Sequence, residues 1–310
     1  MMPIRSSPER RSSWQPVAWD GIEMEAPSDW AVQIAAPGYL VMGPDAERAL
    51  EIKTSAMGKK PLSPRRLLKR LARGSPVSLR GRIRTVPLSK DWQPLTERFA
   101  ATGFEWRHLN HQGTGAILQC RTCRRVTLVQ ALRHPAPAGG TIRRIAETLR
   151  DHREDGFRSF RIFDFSAVVP PGFETAACRF APGHFEIDFS GERHRIRFVR
   201  FGPAEVLLKR ISLDAFVKSK GLLPEETPRL RRPSGNWKEW AWETNDSRKW
   251  GIGARKHIHR RLRVFCRTAT NHILTLETRG GDPFPDPLFE TVWAAYADLE
   301  ETPIAPRHQP

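Results

Sequence analysis

No stretch of the chain approaches eighteen consecutive apolar residues, and the mean hydropathy is −0.51. A membrane-spanning helix needs about 20 such residues, so none is expected. The first sixteen residues, MMPIRSSPERRSSWQP, contain no apolar core of the kind a secretory leader requires. Cysteine is scarce, four in 310 residues, too few for a disulfide framework at this size. These absences lead to the expectation of reduced thiols in a cytoplasm. Phosphate-cradling glycine motifs are missing, neither G-x-G-x-x-G nor G-x-x-x-x-G-K being present, which argues against nucleotide binding by those routes. No G-x-S-x-G, H-E-x-x-H or P-C-x-x-C signature occurs either, so no residue is assigned a catalytic role.

Acidic residues are the other shortage. Thirty-four Asp and Glu stand against 51 Lys and Arg, giving a formal charge of +17 and a pI near 10.6. Such a field favours acidic partners: nucleic acid, an acidic protein face or anionic lipid. Arginine supplies 40 of the 51 cations, and its planar fork suits phosphate recognition. The chain is also rich in Ala, Gly and Pro, as a GC-rich genome would make it. Genome bias accounts for part of the arginine excess but not for the lack of acids.

What is present suits two domains of about 150 residues each, with ten Trp and sixteen Phe to fill their cores. The halves repeat. Cys120-Arg121-Thr122 returns as Cys266-Arg267-Thr268, an offset that also places His111 on His257 and Phe104 on Trp250. Asp91-Trp92 matches Asn236-Trp237, Gly38 matches Gly183, and Pro27…Trp30 matches Pro170…Phe173. A helix is expected over 64–73, with Leu67, Leu68 and Leu71 on one side. Its counterpart opens at Ser212, carries Phe216 and Val217, and stops at Gly221. Each half ends in a second helix, the first with Ile142, Ile145, Ala146 and Leu149, the second with Phe289, Val292, Trp293 and Tyr296. The fold class is therefore α+β: two tandem homologous domains of mainly antiparallel sheet, packed as a pseudo-dimer. The expected boundaries are a basic tail over 1–15, repeats over 16–155 and 156–302, and a tail over 303–310. Internal pseudo-symmetry of this kind suggests a monomer.

The order of elements, with the Pro27…Trp30 and Pro170…Phe173 segments, resembles the PsbP-like fold, twice over nearly the whole chain. The resemblance implies an α/β/α sandwich in each half and a protein-binding assembly or adaptor role. It carries no common catalytic set, so no active residue is transferred.

Three regions carry chemistry. The turn Cys120-Arg121-Thr122-Cys123, flanked by strand-like 116–119 and 126–130, places two thiols where they can share a zinc, form a redox pair or simply pack. A zinc needs four ligands, and His108 and His111 are the nearest second pair. Residues three apart on a strand face opposite ways, so both reach one metal only across a turn. The second repeat has Ala269 in place of Cys123. The segment from Ile52 to Lys90 has no acid but holds Lys53, Lys59, Lys60, Arg65, Arg66, Lys69, Arg70, Arg73, Arg80, Arg82, Arg84 and Lys90. A helix face and a strand face of one sign can contact several phosphates. The acid-free segment 247–276 adds Arg255, Lys256, Arg260, Arg261 and Arg263 behind Trp237, Trp240, Trp242 and Trp250. Those tryptophans suit base stacking, although the alternation of Trp240 with Trp242 also suits a core. The expected function is a non-enzymatic binding protein for a polyanion, RNA or DNA first. A PsbP-like adaptor for an acidic protein partner and an enzyme using an inter-domain cleft are the alternatives.

Overall fold

The computed structural model describes residues 13–45, 47–56, 63, 66–68, 82–108, 111–123, 125–132, 140–224, 230–234, 237–246 and 256–297. Both expected tails fall largely outside these residues, as do Lys59, Lys60, Arg65, Lys69, Arg70, Arg73, Arg80, Trp250 and Arg255. The chain divides into two compact units. The first runs to Asp155 and takes in 159–164; the second holds 156–158 and continues from Phe165.

The first unit opens with the hairpin of β1 (Trp14–Trp19) and β2 (Ile22–Pro27), turned at Asp20-Gly21 with positive φ at both residues. Seven antiparallel strands follow: β3 (Trp30–Ala36), β4 (Tyr39–Pro44), β5 (Leu50–Ala56), β6 (Arg82–Thr85), β7 (Phe99–His108), β8 (His111–Cys120) and β9 (Arg125–Leu132). Their spatial order is β3-β4-β5-β9-β8-β7-β6. Central β9 lies between β5 and β8 and is buried on both faces, which explains its run RVTLVQAL with little polar alternation. Leu67 and Leu68, in the helical turn 66–68, cover Phe104, Trp106, Ile117, Val126 and Leu128, while Arg66 between them and solvent stays exposed. Helix α1 (Thr141–Thr148) buries Ile145 and Ala146, and β10 (Arg158–Ile162) joins β1.

The second unit has β11 (Phe165–Val169), then β12 (Glu174–Ala181), β13 (His184–Ser190), β14 (His194–Phe201), β15 (Leu230–Ser234), β16 (Trp237–Asp246), β17 (Lys256–Arg267) and β18 (His272–Gly280). The order of its seven-stranded sheet is β12-β13-β14-β18-β17-β16-β15, rank for rank that of the first unit, and every pairing is antiparallel. Three helices interrupt or follow the strands: α2 (Ala204–Leu207), α3 (Leu213–Ser219) and α4 (Asp286–Ala297). Ser212 caps α3, its Oγ accepting from the Ala215 amide at 3.2 Å, and Gly221 ends it at φ +65°. Phe216 and Val217 pack on Phe201, Trp240, Leu262 and Val264. From α4, Phe289, Val292, Trp293 and Tyr296 are buried, and the Tyr296 hydroxyl donates to the Val199 carbonyl at 2.9 Å.

The fold is thus mainly antiparallel sheet with few helices, the α+β class expected. Trp240 is a core residue. Gly38 and Gly183 both turn hairpins at positive φ, and a Cβ on either would come within 2.6 Å of a backbone carbonyl oxygen. The constant offset does not hold everywhere, however. Cys120 and Cys266 sit at like positions on β8 and β17, but Phe104 lies opposite Gly115, whereas the residue opposite Arg261 is Ala241. Trp92 precedes the 3-10 turn Gln93–Glu97, whereas Trp237 opens a strand, so these two tryptophans are not equivalent. Insertions between strands absorb such shifts, and a single offset cannot follow them. Among the described residues, no helix is long and apolar enough to cross a membrane.

Candidate metal centre

The Cys120-Arg121-Thr122-Cys123 segment is the turn between β8 and β9. Its backbone folds back so that the amides of Thr122 and Cys123 both donate to Cys120 Sγ at 3.3 Å. The residues that meet the two thiols come from beyond α1. Arg98 fastens the end of that helix, donating to the carbonyls of Ala146, Glu147 and Leu149 at 2.6 to 3.1 Å. The next residue, Arg150, exchanges two backbone hydrogen bonds with Glu23 on β2, at 2.8 and 2.9 Å. With both sides anchored, Asp151 and His152 are delivered to the turn.

There, Cys120 Sγ lies 3.6 Å from His152 Nδ1, the Cys123 thiol donates to Asp151 Oδ2 at 3.1 Å, and Asp151 Oδ1 meets His152 Nδ1 at 2.8 Å. One donor atom from each of the four residues lies within 4.8 Å of every other. Zinc holds sulfur at about 2.3 Å and nitrogen or oxygen at about 2.0 to 2.2 Å in a tetrahedron. Ligand atoms around it therefore stand roughly 3.3 to 3.8 Å apart, a spacing these side chains reach with small rotations. Two sulfurs, one imidazole and one carboxylate also match zinc in softness.

The arrangement fits other chemistry poorly. Burial first, then its hydrogen bond to Asp151 and its contact with Cys120, push the Cys123 thiol up to about 12. A nucleophilic or redox cysteine works as the thiolate, and this thiol holds its proton. Cys120, His152 and Asp151 have the membership of a catalytic triad but not its wiring. The same Nδ1 faces both the sulfur and the carboxylate, so the ring cannot pass a proton from one to the other.

His108 and His111 are not in this cluster, which corrects the ligand set expected from the sequence. They lie directly opposite one another on β7 and β8, but at the far end of β8 from Cys120. Ten residues of strand separate that end from Cys120 by about 30 Å. The side chains that meet the two thiols, Asp151 and His152, stand in the polar segment D-H-R-E-D-G that reads as a boundary between domains. In the second unit, Cys266 occupies the place of Cys120 with Ala269 where Cys123 would be, and burial raises its thiol.

The basic residues separate into distinct groups. Lys53 is buried and paired with Glu51 at 3.3 Å, and burial pulls its pKa down, so it is withdrawn from the surface. Arg84 is exposed and pairs with Glu105. Lys90 is exposed. Arg82 and Lys256 belong to β6 and β17, but their side chains fall outside the described set. Arg261 and Arg263 are buried and spent. Both bind Glu239 and Glu290, Arg261 also binds Asp286, and both guanidinium groups lie over the Phe289 ring. These two residues tie α4 to the sheet, so they are withdrawn from the set of cations expected to meet a polyanion. Arg260, of opposite parity on β17, points to the other face, where it binds Glu277 and lies 5.0 Å from the Trp242 ring centre. No protein-family model matches the chain, and no curated protein matches it.

Proposed function

We propose that the protein is a non-enzymatic, zinc-holding binding protein built from one topology used twice. The observation that carries the metal is the convergence of Cys120, Cys123, Asp151 and His152 from two segments about 30 residues apart. Zinc there would bind the β8–β9 turn to the chain leaving α1 and so fasten the end of the first unit. Cys120 and Cys123 supply the thiolates, and Asp151 and His152 complete the set. The shared strand order supports reading the halves as a duplication of PsbP-like type. Full-length protein purified without added zinc is expected to carry about one equivalent of it, and Cys123→Ser to lose it. Less than roughly a tenth of an equivalent, with both thiols freely titratable, would overturn the assignment.

A second reading concerns the partner. The acid-free run 52–90 and the exposure of Arg66 beside buried Leu67 and Leu68 favour a polyanion at the 66–68 turn. Changing Arg66, Arg70 and Arg73 together to Ala should leave the apolar contacts in place. It should lower the salt dependence of nucleic-acid binding by about 2 to 3 in log–log slope. A variant that binds as wild type would favour the protein-adaptor alternative.

A further inference from the structure

The second unit carries a row of side chains that sequence patterning did not reveal. Arg195 on β14 lies directly opposite Arg279 on β18. Arg279 lies directly opposite Arg260 on β17, and Arg260 directly opposite Trp242 on β16. Directly opposed residues in antiparallel strands share a face. Three arginines and a tryptophan therefore stand side by side across four adjacent strands, over about 14 Å. Side-chain contacts agree with this parity, since Arg260 both lies over Trp242 and reaches Glu277 on the same face.

Like charges placed directly opposite one another destabilise a sheet unless something offsets them. The acids of this face are committed elsewhere. Glu186 and Asp188 go to Arg197, at 2.5 and 3.7 Å, and Glu277 is shared between Arg197 and Arg260. Arg195 and Arg279 are exposed and, among the described residues, form no ion pair. Among the described residues, the sheet thus holds two adjacent guanidinium groups without an ion-pair partner, Arg279 being attracted by Asp188 only from beyond ion-pair distance, and a third that keeps Nη1 beyond its bonds to Glu277.

We propose that this row binds the phosphate backbone of single-stranded nucleic acid. The exposed forks of Arg195 and Arg279 match phosphate oxygens. The Arg260 guanidinium, backed by Trp242, offers a flat cationic plane on which a base can stack. A broad sheet face with an aromatic at its end suits a single strand, whose bases are free to lie on it, better than a duplex, whose bases are already stacked. The surface is separate from the metal centre and does not require the 52–90 segment.

The test uses the full-length protein and a fluorescein-labelled oligothymidylate of about 12 nucleotides, followed by anisotropy over roughly 50 to 200 mM KCl. Arg195→Gln with Arg279→Gln is expected to weaken binding at least about tenfold. It should also reduce the salt slope by about 1.4, at 0.7 per lost phosphate contact. Both side chains are exposed, so the unfolding temperature should not fall. Arg195→Lys with Arg279→Lys keeps the charge and should keep the slope while losing the forks. Arg66→Gln serves as the comparator outside the row. If the double Gln variant keeps wild-type affinity and slope, the row is not the site. Wild-type protein that ignores the oligonucleotide but binds phosphatidylserine vesicles would overturn the proposal in favour of a lipid surface. Equal binding of a duplex of the same length would overturn the single-strand assignment.

Discussion

Glu239→Gln offers a sharp test of how the second unit uses its arginines. Glu239 is fully buried and accepts from Nε and Nη2 of both Arg261 and Arg263, whose side chains are only 7% and 2% exposed. Glutamine keeps the shape, removes the charge and turns an NH2 group toward N–H donors. Removing one partner of a buried ion pair costs about 3 to 5 kcal/mol, because the charge left behind stays desolvated. Glu290 and Asp286 still accept from the two arginines and are 45% and 60% exposed, so water can reach that side. The loss should therefore fall at the lower end, about 3 kcal/mol. Because α4 is held by this network, the effect should be concentrated there. Hydrogen exchange of residues 286–297 should quicken by roughly a hundredfold, since about 1.4 kcal/mol is a factor of ten in the opening equilibrium. Denaturant unfolding should shift in parallel. Glu290→Gln, on the exposed side, should cost only about 1 kcal/mol. If Glu239→Gln exchanges as wild type, the network does not hold the helix, and Arg261 and Arg263 would return as candidates for a ligand.

Zinc affinity should depend on pH. Cys123 holds its proton at neutral pH because its pKa is raised to about 12, so metal must displace that proton. Affinity measured against a competing chelator should rise about tenfold from pH 7 to pH 8 on this residue's account, and a pH-independent affinity would refute the assignment. Gly38→Ala should destabilise by at least about 1 to 2 kcal/mol in urea unfolding, since φ is +68° and the new methyl would lie 2.6 Å from the Thr54 carbonyl oxygen. Gly140→Ala, also at positive φ but with nothing within 4 Å, should cost less; equal costs would show that the close approach at Gly38 is relieved by local movement.

Local chemistry was legible in the sequence. Ser212 and Gly221 bracket α3 because a side-chain oxygen and a residue tolerant of positive φ act within a few positions. The apolar spacing of Phe289, Val292, Trp293 and Tyr296 marks the buried side of α4 for the same reason. The Cys120–Cys123 spacing likewise exposed half of the candidate metal set. Its other half depended on where α1 delivers the chain, which is fixed by Arg98 and by the pairing of Glu23 with Arg150, contacts spanning from about 50 to over 100 residues. The fate of the basic residues also required the tertiary structure. Strand alternation sends Arg260 one way and Arg261 and Arg263 the other, but it does not say which face a helix will cover. Only the packing of α4, with Glu290 and Phe289, consumes one set, and only the register of β14 against β18 brings Arg195 beside Arg279. Helix caps and periodicity arise from neighbours along the chain, whereas a metal set or a charged row arises from segments that the folded chain alone makes adjacent.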